Sequence, residues 1–318
     1  MKISAVIPAY NSAAYINDAI TSIHEQTHPI DEIIIIDDGS TDNTCEVVQR
    51  SKGNIIYIKQ ENQGPSAARN HGIKAASGDW IAFLDADDQW TPDKTKEQLI
   101  TLKKYPKLRL IASDMAEIAD SNIITPSVLN KHHLSDFFQK LGGKPIPNAL
   151  AALMEKNFIP TGTVLVKRTT LFESGLFNPE IRFGEDLELW AKIAAHTPIT
   201  CLAQVHMLRR QHGDNATQST FPMLTDLVKV CESIRHWDSD ALVAQGINPN
   251  KLVARAWADL GYWHFASGNQ KLARKSFQSS LCEHFTKRAF FYGIASILPA
   301  ALSNGMKHTK QLLRRSKQ

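Results

Sequence analysis

Residues 80–88, WIAFLDADD, join a continuous apolar run to a cluster of three aspartates. A short apolar run that ends at polar residues is typical of a strand covered on both faces of its sheet. Residues 32–36, EIIII, contain a second run of this kind, and residues 3–7, ISAVI, a third. Strands of this composition occur mainly in parallel sheets, which are covered by helices on both sides. The sequence therefore favours an α/β fold.

Strand and helix patterns alternate over the first hundred residues. The predicted strands are 3–7, 32–36, 54–59 and 80–84, and the predicted helices are 12–25, 41–51, 65–77 and 92–104. Ser12 is the predicted N-cap of the first helix, since its hydroxyl can accept from a free backbone N–H. This order predicts a mainly parallel, Rossmann-like sheet with right-handed crossovers and helices on its faces.

The rest of the chain is less regular at first and then helical. The middle contains strand patterns at 164–167 and 200–208 and a helical pattern at 185–196. After these the pattern is helical throughout. We therefore expect an α/β domain at residues 1–220 and an α-helical C-terminal region at residues 221–318.

Polar residues follow each predicted strand of the first hundred residues. They occupy positions 8–11, 37–42, 61–65 and 85–88. Ligands bind open α/β sheets outside the carboxyl ends of the strands. The four polar segments therefore predict one binding site at that edge of the sheet.

The acidic cluster after the fourth strand is a candidate metal site. Asp85 and Asp87 are spaced so that both carboxylates can converge on one hard cation. The alternative is an Asp-rich turn, and we expect Asp88 either to cap the next helix or to support the site. The residue types alone leave both interpretations open.

Five segments, taken together, carry a family resemblance. They are VIPAYN at 6–11, IIIDDGSTD at 34–42, NQGPSAARN at 62–70, GDWIAFLDADD at 78–88 and GEDLELW at 184–190. In this order they closely resemble the motifs of the family 2 inverting glycosyltransferases, which have a GT-A fold. The resemblance covers roughly residues 1–215.

The resemblance implies a site for a nucleotide-sugar donor. Pro8, Ala9 and Tyr10 resemble the loop that receives the nucleotide base, and Asp38 resembles the acceptor for the imide N–H of that base. A carboxylate in this position suits uracil or thymine. Arg69 could reach the diphosphate, or it could be a solvated arginine on a helix face.

The same resemblance implies a bound Mg²⁺ or Mn²⁺ ion. Asp85 and Asp87 resemble the family's DXD pair, with Asp87 as the metal ligand and Asp85 on the ribose, the sugar or the metal through water. Residues 208–217, LRRQHGDNAT, resemble a basic segment that closes over the diphosphate. His212 could therefore bind the metal or a phosphate, and Arg209 or Arg210 could pair with phosphate oxygens. The alternative for this segment is an exposed loop.

The acids at 185–186 are the candidates for catalysis. Transfer requires a carboxylate that removes the proton from the acceptor hydroxyl. The resemblance assigns this role to Asp186, with Glu185 orienting the acceptor or donor. Two adjacent acids at a helix start are also ordinary, because the helix dipole favours anions there. The choice between the two acids stays open.

The helical region contains one recognisable unit. Residues Trp257, Leu260, Gly261, Ala273 and Phe277 have offsets that resemble a tetratricopeptide hairpin near 252–284. A single hairpin cannot bury its own apolar face, so we expect it to pack on neighbouring helices or on the catalytic domain rather than to bind a peptide.

The segment 287–318 is basic and partly apolar. It holds seven of the 36 Lys and Arg residues and no acid, which leaves 29 basic against 32 acidic residues elsewhere. Such a segment can lie at an anionic membrane surface. The alternative is a final buried helix followed by a solvated tail.

Composition excludes several other classes of protein. A net charge of +4 is too small to argue for a nucleic-acid partner. The four cysteines are far apart, which argues against a disulfide scaffold or a cysteine zinc site. No apolar run approaches the length of a transmembrane helix, and the first residues lack a signal-peptide pattern. We therefore expect a cytoplasmic protein, with peripheral contact at the inner face of the membrane through the basic tail.

The expected function is metal-dependent, inverting transfer of a sugar from a nucleotide donor, with UDP favoured, to a hydroxyl of a cell-surface glycan or a lipid-linked acceptor. A nucleotidyltransferase is one alternative, but it needs a glycine-rich triphosphate loop that residues 7–11, IPAYN, do not provide. An inactive transferase-like scaffold is another. Retention of Asp85, Asp87, Glu185 and Asp186 argues against it.

Overall fold

The computed structural model describes residues 1–120, 122–213 and 220–297. The chain divides into two compact units, Met1–Ala216 and Thr217–Gln318. The first unit contains a sheet flanked by helices, and the second contains helices in its described part.

One sheet organises the described part of the first unit. Its strands are β1 Ile3–Ala9, β2 Glu32–Asp37, β3 Ile55–Lys59, β4 Trp80–Phe83, β5 Gln89–Trp90, β6 Leu110–Ala119, β7 Asn122–Thr125, β8 Leu165–Lys167 and β9 Ile199–Arg210. Their order across the sheet is β3-β2-β1-β4-β8-β6-β9-β5, with β7 paired to β6.

The sheet is parallel where the sequence pattern predicts it. Strands β3, β2, β1 and β4 are parallel neighbours, and β6 is parallel to β9. Strands β8, β7 and β5 pair with their neighbours in the antiparallel direction. Strand β2 is buried along its whole length, as its run of isoleucines predicts. The α/β fold class is therefore confirmed.

Helices connect and cover these strands. They are α1 Ile16–His24, α2 Thr44–Arg50, α3 Pro65–Ala75, α4 Lys94–Lys104, α5 Val128–Lys131, α6 Ser135–Leu141, α7 Ala149–Glu155, α8 Arg168–Glu173 and α9 Glu185–His196. Helix α9 has the bounds expected from the sequence, because its acidic first turn and apolar periodicity are both strong signals.

The prediction that Ser12 caps the first helix is wrong. Helix α1 begins at Ile16, four residues later, and Tyr15 is its N-cap. The backbone carbonyl of Ser12 closes the preceding turn by accepting from the N–H groups of Tyr15 and Ile16 at 3.0 and 2.9 Å. Its hydroxyl is directed to the carbonyl of Tyr10 at 3.1 Å. The serine therefore shapes the loop after β1 instead of starting the helix.

The long strand β6 is absent from the predicted elements. Two acids, Asp114 and Glu117, interrupt its apolar pattern, although both are buried. Asp114 accepts from the hydroxyl of Ser127 and, at 2.9 Å, from the backbone N–H of Leu129. These partners come from a later segment of the chain, so the local pattern cannot reveal that the acids are satisfied inside a sheet.

An aromatic cluster connects α9 to strand β4. The ring of Phe83 on β4 lies 5.5 Å from that of Phe177, and Phe177 lies 5.7 Å from Trp190 on α9. All three side chains are buried. Offset and edge-to-face aromatic pairs of this kind restrict orientation as well as burying apolar area. The start of α9 is thereby held near the end of β4.

Helix α4 contains a fully buried lysine. The ammonium group of Lys94 lies 4.1 Å from the ring centroid of Trp90 and donates to Gln98 Oε1 at 3.1 Å. It has no exposed surface. Burial lowers the pKa of Lys94 to about 7, because the charged form loses its hydration.

Replacing Lys94 by Met is expected to raise the free energy of unfolding by about 1–3 kcal/mol at neutral pH. The unfolded lysine keeps its proton up to a higher pH than the folded one, so the stability of the wild type rises between about pH 7 and pH 10. The advantage of Lys94→Met should shrink over the same range. Urea unfolding at both ends of the range measures this, with Lys96→Met on the exposed side of the helix as the control. A variant less stable than wild type at neutral pH would contradict the expectation.

The second unit is helical in residues 220–297. Its helices are α10 Thr220–Trp237, α11 Ser239–Ala244, α12 Pro249–Ala266, α13 Gln270–Glu283 and α14 Lys287–Ala295. Helices α12 and α13 occupy the segment for which a tetratricopeptide-like hairpin is predicted. Gly268 makes the turn between them with a φ of +82°. A Cβ at Gly261 would lie 2.7 Å from the ring of Phe277, so glycine permits the close approach of the two helices.

No helix among the described residues is long and apolar enough to span a bilayer. The predicted basic tail is described only as far as residue 297. Its remaining residues, 298–318, lie outside the described part of the chain.

Candidate active site

The carboxyl ends of β1, β2 and β4 meet at one edge of the sheet, as predicted. Ala9 at the end of β1 pairs with Asp37 at the end of β2. The backbone N–H of Asp38 donates to the carbonyl of Ala9 at 2.8 Å. Strand β4 lies on the other side of β1, so the acidic cluster at 85–88 follows at the same edge.

Asp38 organises the loop that leads into α3. Its Oδ1 accepts from the side-chain amide of Gln60 at 2.7 Å and from the backbone N–H of Gln63 at 2.9 Å. Its Oδ2 accepts from the N–H of Gly64 at 2.8 Å. Gly64 has a φ of +87°, which glycine adopts without strain. The predicted contact of Asp38 with a nucleotide base therefore involves a carboxylate that is already held in place.

The loop after β1 presents one exposed aromatic ring. Ala9 is buried, whereas the side chain of Tyr10 is 52% exposed. Asn11 follows in a left-handed conformation with a φ of +47°, and its side-chain oxygen accepts from the N–H of Thr41 at 2.8 Å. Pro8, Ala9 and Tyr10 thus lie beside the segment that carries Asp38. Their role toward a base stays a prediction.

Arg69 connects two of the sequence motifs. Its guanidinium is buried and pairs with Asp85 Oδ1 at 2.7 Å and with Glu185 Oε1 at 2.9 Å. The ring of Phe177 lies 5.4 Å from the guanidinium carbon. Although burial opposes the charge, the two carboxylates raise the pKa of Arg69. The alternative of a solvated arginine is therefore wrong, and contact with a diphosphate stays a prediction.

Glu185 and Asp186 begin α9. Gly184 precedes them at the N-cap with a φ of +84°. Burial and the neighbouring charge of Asp186 raise the pKa of Glu185 to about 7, in spite of the opposing effect of Arg69. The ion pair with Arg69 fixes the direction of the Glu185 carboxylate.

The carboxylate of Asp186 accepts hydrogen bonds from two uncharged donors. They are the backbone N–H of Leu187, at 2.6 Å, and the side-chain amide of Asn157, at 3.4 Å. Burial raises the pKa of Asp186, and these hydrogen bonds oppose the increase. A carboxylate with a raised pKa is a stronger base when ionised, which suits proton abstraction.

Asp87 and His212 form the second pair at the sheet edge. Asp87 Oδ2 lies 2.9 Å from His212 Nε2. The imidazole stacks on the ring of Tyr15, with centroids 5.0 Å apart and planes 22° apart. His212, in the segment after β9, therefore lies beside the acidic cluster, while residues 214–217 of the predicted basic segment lie outside the described residues.

Arg210 and Asp88 hold this segment in place. The backbone N–H of Arg210 donates to Asp88 Oδ1 at 2.9 Å, and its guanidinium pairs with Asp18 at 2.8 Å. Burial, with the charges of Asp87 and Asp85, raises the pKa of Asp88 well above its usual value. The prediction that Asp88 caps the next helix is wrong, because α4 begins at Lys94 with Asp93 as its N-cap.

The residues at this edge fit a metal ion that is shared with a substrate. No group of three or more His, Cys, Asp or Glu side chains within the described ranges is arranged to hold a metal by itself. Asp87 and His212 are two adjacent candidate ligands, while Asp85 is engaged by Arg69. Mg²⁺ is usually bound by one or two protein carboxylates together with phosphate oxygens and water. The donor set is therefore compatible with an ion that also contacts a diphosphate.

Three residues of this site are not among the sequence candidates. Tyr15 supports His212, Asp18 pairs with Arg210, and Asn157 donates to Asp186. Each acts on a residue far away in the sequence, and none belongs to one of the five motifs. A local sequence signal for them is therefore lacking.

The chain is similar in sequence to proteins named as glycosyltransferases. Residues 4–156 match the model of the family described as glycosyl transferase family 2. An uncharacterized glycosyltransferase of Rickettsia conorii is 36% identical over 208 residues, which are 62% of this chain and 31% of that protein. A Bacillus subtilis protein named for teichuronic acid biosynthesis, TuaG, is 40% identical over 102 residues, which are 30% of this chain and 40% of that one. The chain spans about a third of the length of the first curated relatives that it matches.

The solved structures show the fold. Residues 1–349 of S. aureus TarS in complex with UDP match with a TM-score of 0.66 and 17% identity, over 89% of this chain and 81% of that 1–349 chain. A complex of the same protein with UDP-GlcNAc also gives 0.66. The GT-A fold expected from the sequence motifs is thereby confirmed. Residues 4–156 are therefore similar to glycosyl transferase family 2, and the chain has a GT-A fold followed by a helical region.

Proposed function

We propose that this chain is an inverting, metal-dependent glycosyltransferase that moves a sugar from a UDP-linked donor to a hydroxyl of a cell-surface glycan or a lipid-linked acceptor. The family match supports the transferase class. The observation that carries the proposal is the buried contact of Arg69, which joins Asp85 of the acidic cluster to Glu185 beside Asp186. Residues assigned to the donor and to the acceptor thus share one site.

Asp186 serves as the general base in this proposal. It takes the proton of the acceptor hydroxyl while the acceptor oxygen forms a bond to the anomeric carbon and the bond from that carbon to the diphosphate oxygen breaks. This direct displacement inverts the anomeric configuration and needs no covalent enzyme intermediate. Glu185, fixed by Arg69, orients the reacting sugar or acceptor.

Asp87 and His212 would hold the metal ion, and Asp85 would contact the ribose or sugar. A Mg²⁺ or Mn²⁺ ion bound there would stabilise the negative charge that develops on the leaving diphosphate. The guanidinium of Arg210 lies near the same pair, since its Nε donates to the carbonyl of Asp87 at 3.3 Å. It would add positive charge beside the phosphates.

The donor and acceptor classes rest on two kinds of support. Asp38 and the loop of Pro8, Ala9 and Tyr10 suit a uracil edge, and the structural match TarS is a protein that binds UDP and UDP-GlcNAc. The B. subtilis relative is named as a putative glycosyltransferase of teichuronic acid biosynthesis. Peripheral contact with the membrane is part of the proposal, because a lipid-linked acceptor lies at the membrane surface.

The variant Asp87→Asn is expected to lose the metal dependence of donor binding, because the site loses a charged oxygen ligand. Isothermal titration calorimetry of UDP with and without Mn²⁺ measures this. Mn²⁺ should raise the affinity of the wild type at least about tenfold and leave that of Asp87→Asn nearly unchanged. Asp93→Asn, which replaces an exposed acid that pairs with Lys96, should behave like the wild type. Equal UDP affinity with and without Mn²⁺ in all three proteins would overturn the metal assignment.

A further inference from the structure

Exposed apolar side chains are concentrated at the last described helix. We define the α14 face as the large apolar residues within 285–297 that are 41–70% exposed: Phe285, Phe290, Phe291, Ile294 and Ile297. The rings of Phe285 and Phe290 are 5.7 Å apart, and those of Phe290 and Phe291 are 5.6 Å apart. The side chains therefore form a continuous patch, and such patches mark interaction sites.

The other side of α14 is anchored to the helical unit. Ala289 and Ala295 are buried, and the ring of Tyr292 lies 4.9 Å from that of Tyr262 on α12. Arg288 pairs with Asp259 on α12, and its guanidinium carbon lies 4.4 Å from the ring centroid of Tyr262. The helix is therefore held by its opposite side, while the α14 face is left uncovered by the described residues.

Positive charge accompanies the α14 face. Lys287 is exposed and lies three and four residues before Phe290 and Phe291, which puts all three on one side of the helix. The sequence contains no acid from residue 284 to residue 318, and it carries five further basic residues in 298–318. Those residues lie outside the described part, so only their charge enters here. Aromatic groups next to basic charge complement a surface that is apolar below and anionic above.

We propose that the α14 face is a docking surface for an anionic lipid bilayer, into whose interface Phe290, Phe291 and Ile294 insert while Lys287 contacts the lipid headgroups. Charge complementarity selects a bilayer over a second copy of this chain, since two copies would bring like charges together. The proposal deepens the proposed function, because it brings the catalytic chain to a lipid-linked acceptor. Vesicle binding itself requires neither donor nor acceptor.

Co-sedimentation of the full chain with vesicles tests the proposal. The vesicles are phosphatidylcholine alone or phosphatidylcholine mixed with phosphatidylglycerol, at low and at high salt. The wild type should bind the mixed vesicles at low salt, and bind them less at high salt because salt screens the headgroup charge. The double variant Phe290→Ser, Phe291→Ser should lose at least about tenfold in partitioning. The control Leu272→Ser, Leu281→Ser removes two exposed apolar residues from α13 and should bind like the wild type.

Three outcomes would overturn the proposal. In the first, the wild type does not co-sediment with the mixed vesicles at low salt. In the second, the phenylalanine variant binds as well as the wild type while truncation after residue 297 abolishes binding, so the tail acts alone. In the third, the variant dissociates a dimer seen by light scattering without changing vesicle binding. Release of UDP from a soluble donor, measured on the same variant, should equal that of the wild type. Loss of vesicle binding with intact hydrolysis thus separates this proposal from the proposed catalytic function.

Discussion

Replacing Asp186 by Asn should lower the rate of sugar transfer at least about a hundredfold, the usual contribution of a general base. Donor binding should be retained, because the residues assigned to the donor are left in place. Steady-state kinetics together with UDP titration separates the two effects. The expected pattern is a loss in kcat with little change in UDP affinity. The amide oxygen of the asparagine can still accept from the backbone N–H of Leu187.

The variant Glu185→Gln is the matched comparison. In the wild type, the ion pair with Arg69 fixes the carboxylate of Glu185, which orients the substrate. Loss of this ion pair should therefore disturb substrate positioning as well as lower the rate of transfer. If Glu185→Gln shows the pure loss of kcat and Asp186→Asn remains active, the base has been assigned to the wrong acid.

Replacing Arg69 by Gln should lower the free energy of unfolding by about 3–5 kcal/mol, since removal of one partner from a buried ion pair leaves uncompensated charge. Asp85 and Glu185 both lose their counterion. The pKa of Glu185 should rise further, so the loss of stability should be smaller at acidic pH, where that carboxyl is protonated. Urea unfolding at about pH 5 and about pH 8 measures both effects.

The control for Arg69 is Arg50→Gln at the exposed end of α2. It removes the same charge from the same unit without exposing a buried acid, and should change stability by no more than about 0.5 kcal/mol. Equal losses in the two variants would show that the bridge of Arg69 does not stabilise the site.

The strands and the helix around the site could be predicted where their signal comes from residues that are neighbours in the sequence. The apolar strands at 3–7, 32–36 and 80–84 and the helix at 185–196 follow from periodicity, because both faces of the strands are covered and α9 has an acidic first turn. The edge at which the polar segments meet follows from the parallel order alone.

The remaining features of the site depend on contacts between residues that are far apart in the sequence. The sequence leaves open whether Arg69 is solvated or part of the site, because its partners Asp85 and Glu185 lie 16 and 116 residues away. Strand β6 has no local sequence signal, because its buried Asp114 is satisfied by a segment that follows it. Tyr15 and Asn157 act on His212 and Asp186 across the fold, so their part in the site becomes visible only in three dimensions.

The most direct test of the central claim is incubation of the full chain with UDP-sugars and Mn²⁺, with the products followed by proton NMR. The account predicts slow release of UDP from one of the donors, together with a free sugar whose anomeric configuration is opposite to that of the donor. Asp186→Asn should release UDP more slowly. Release of pyrophosphate from nucleoside triphosphates, with no UDP formed from any sugar nucleotide, would contradict the account.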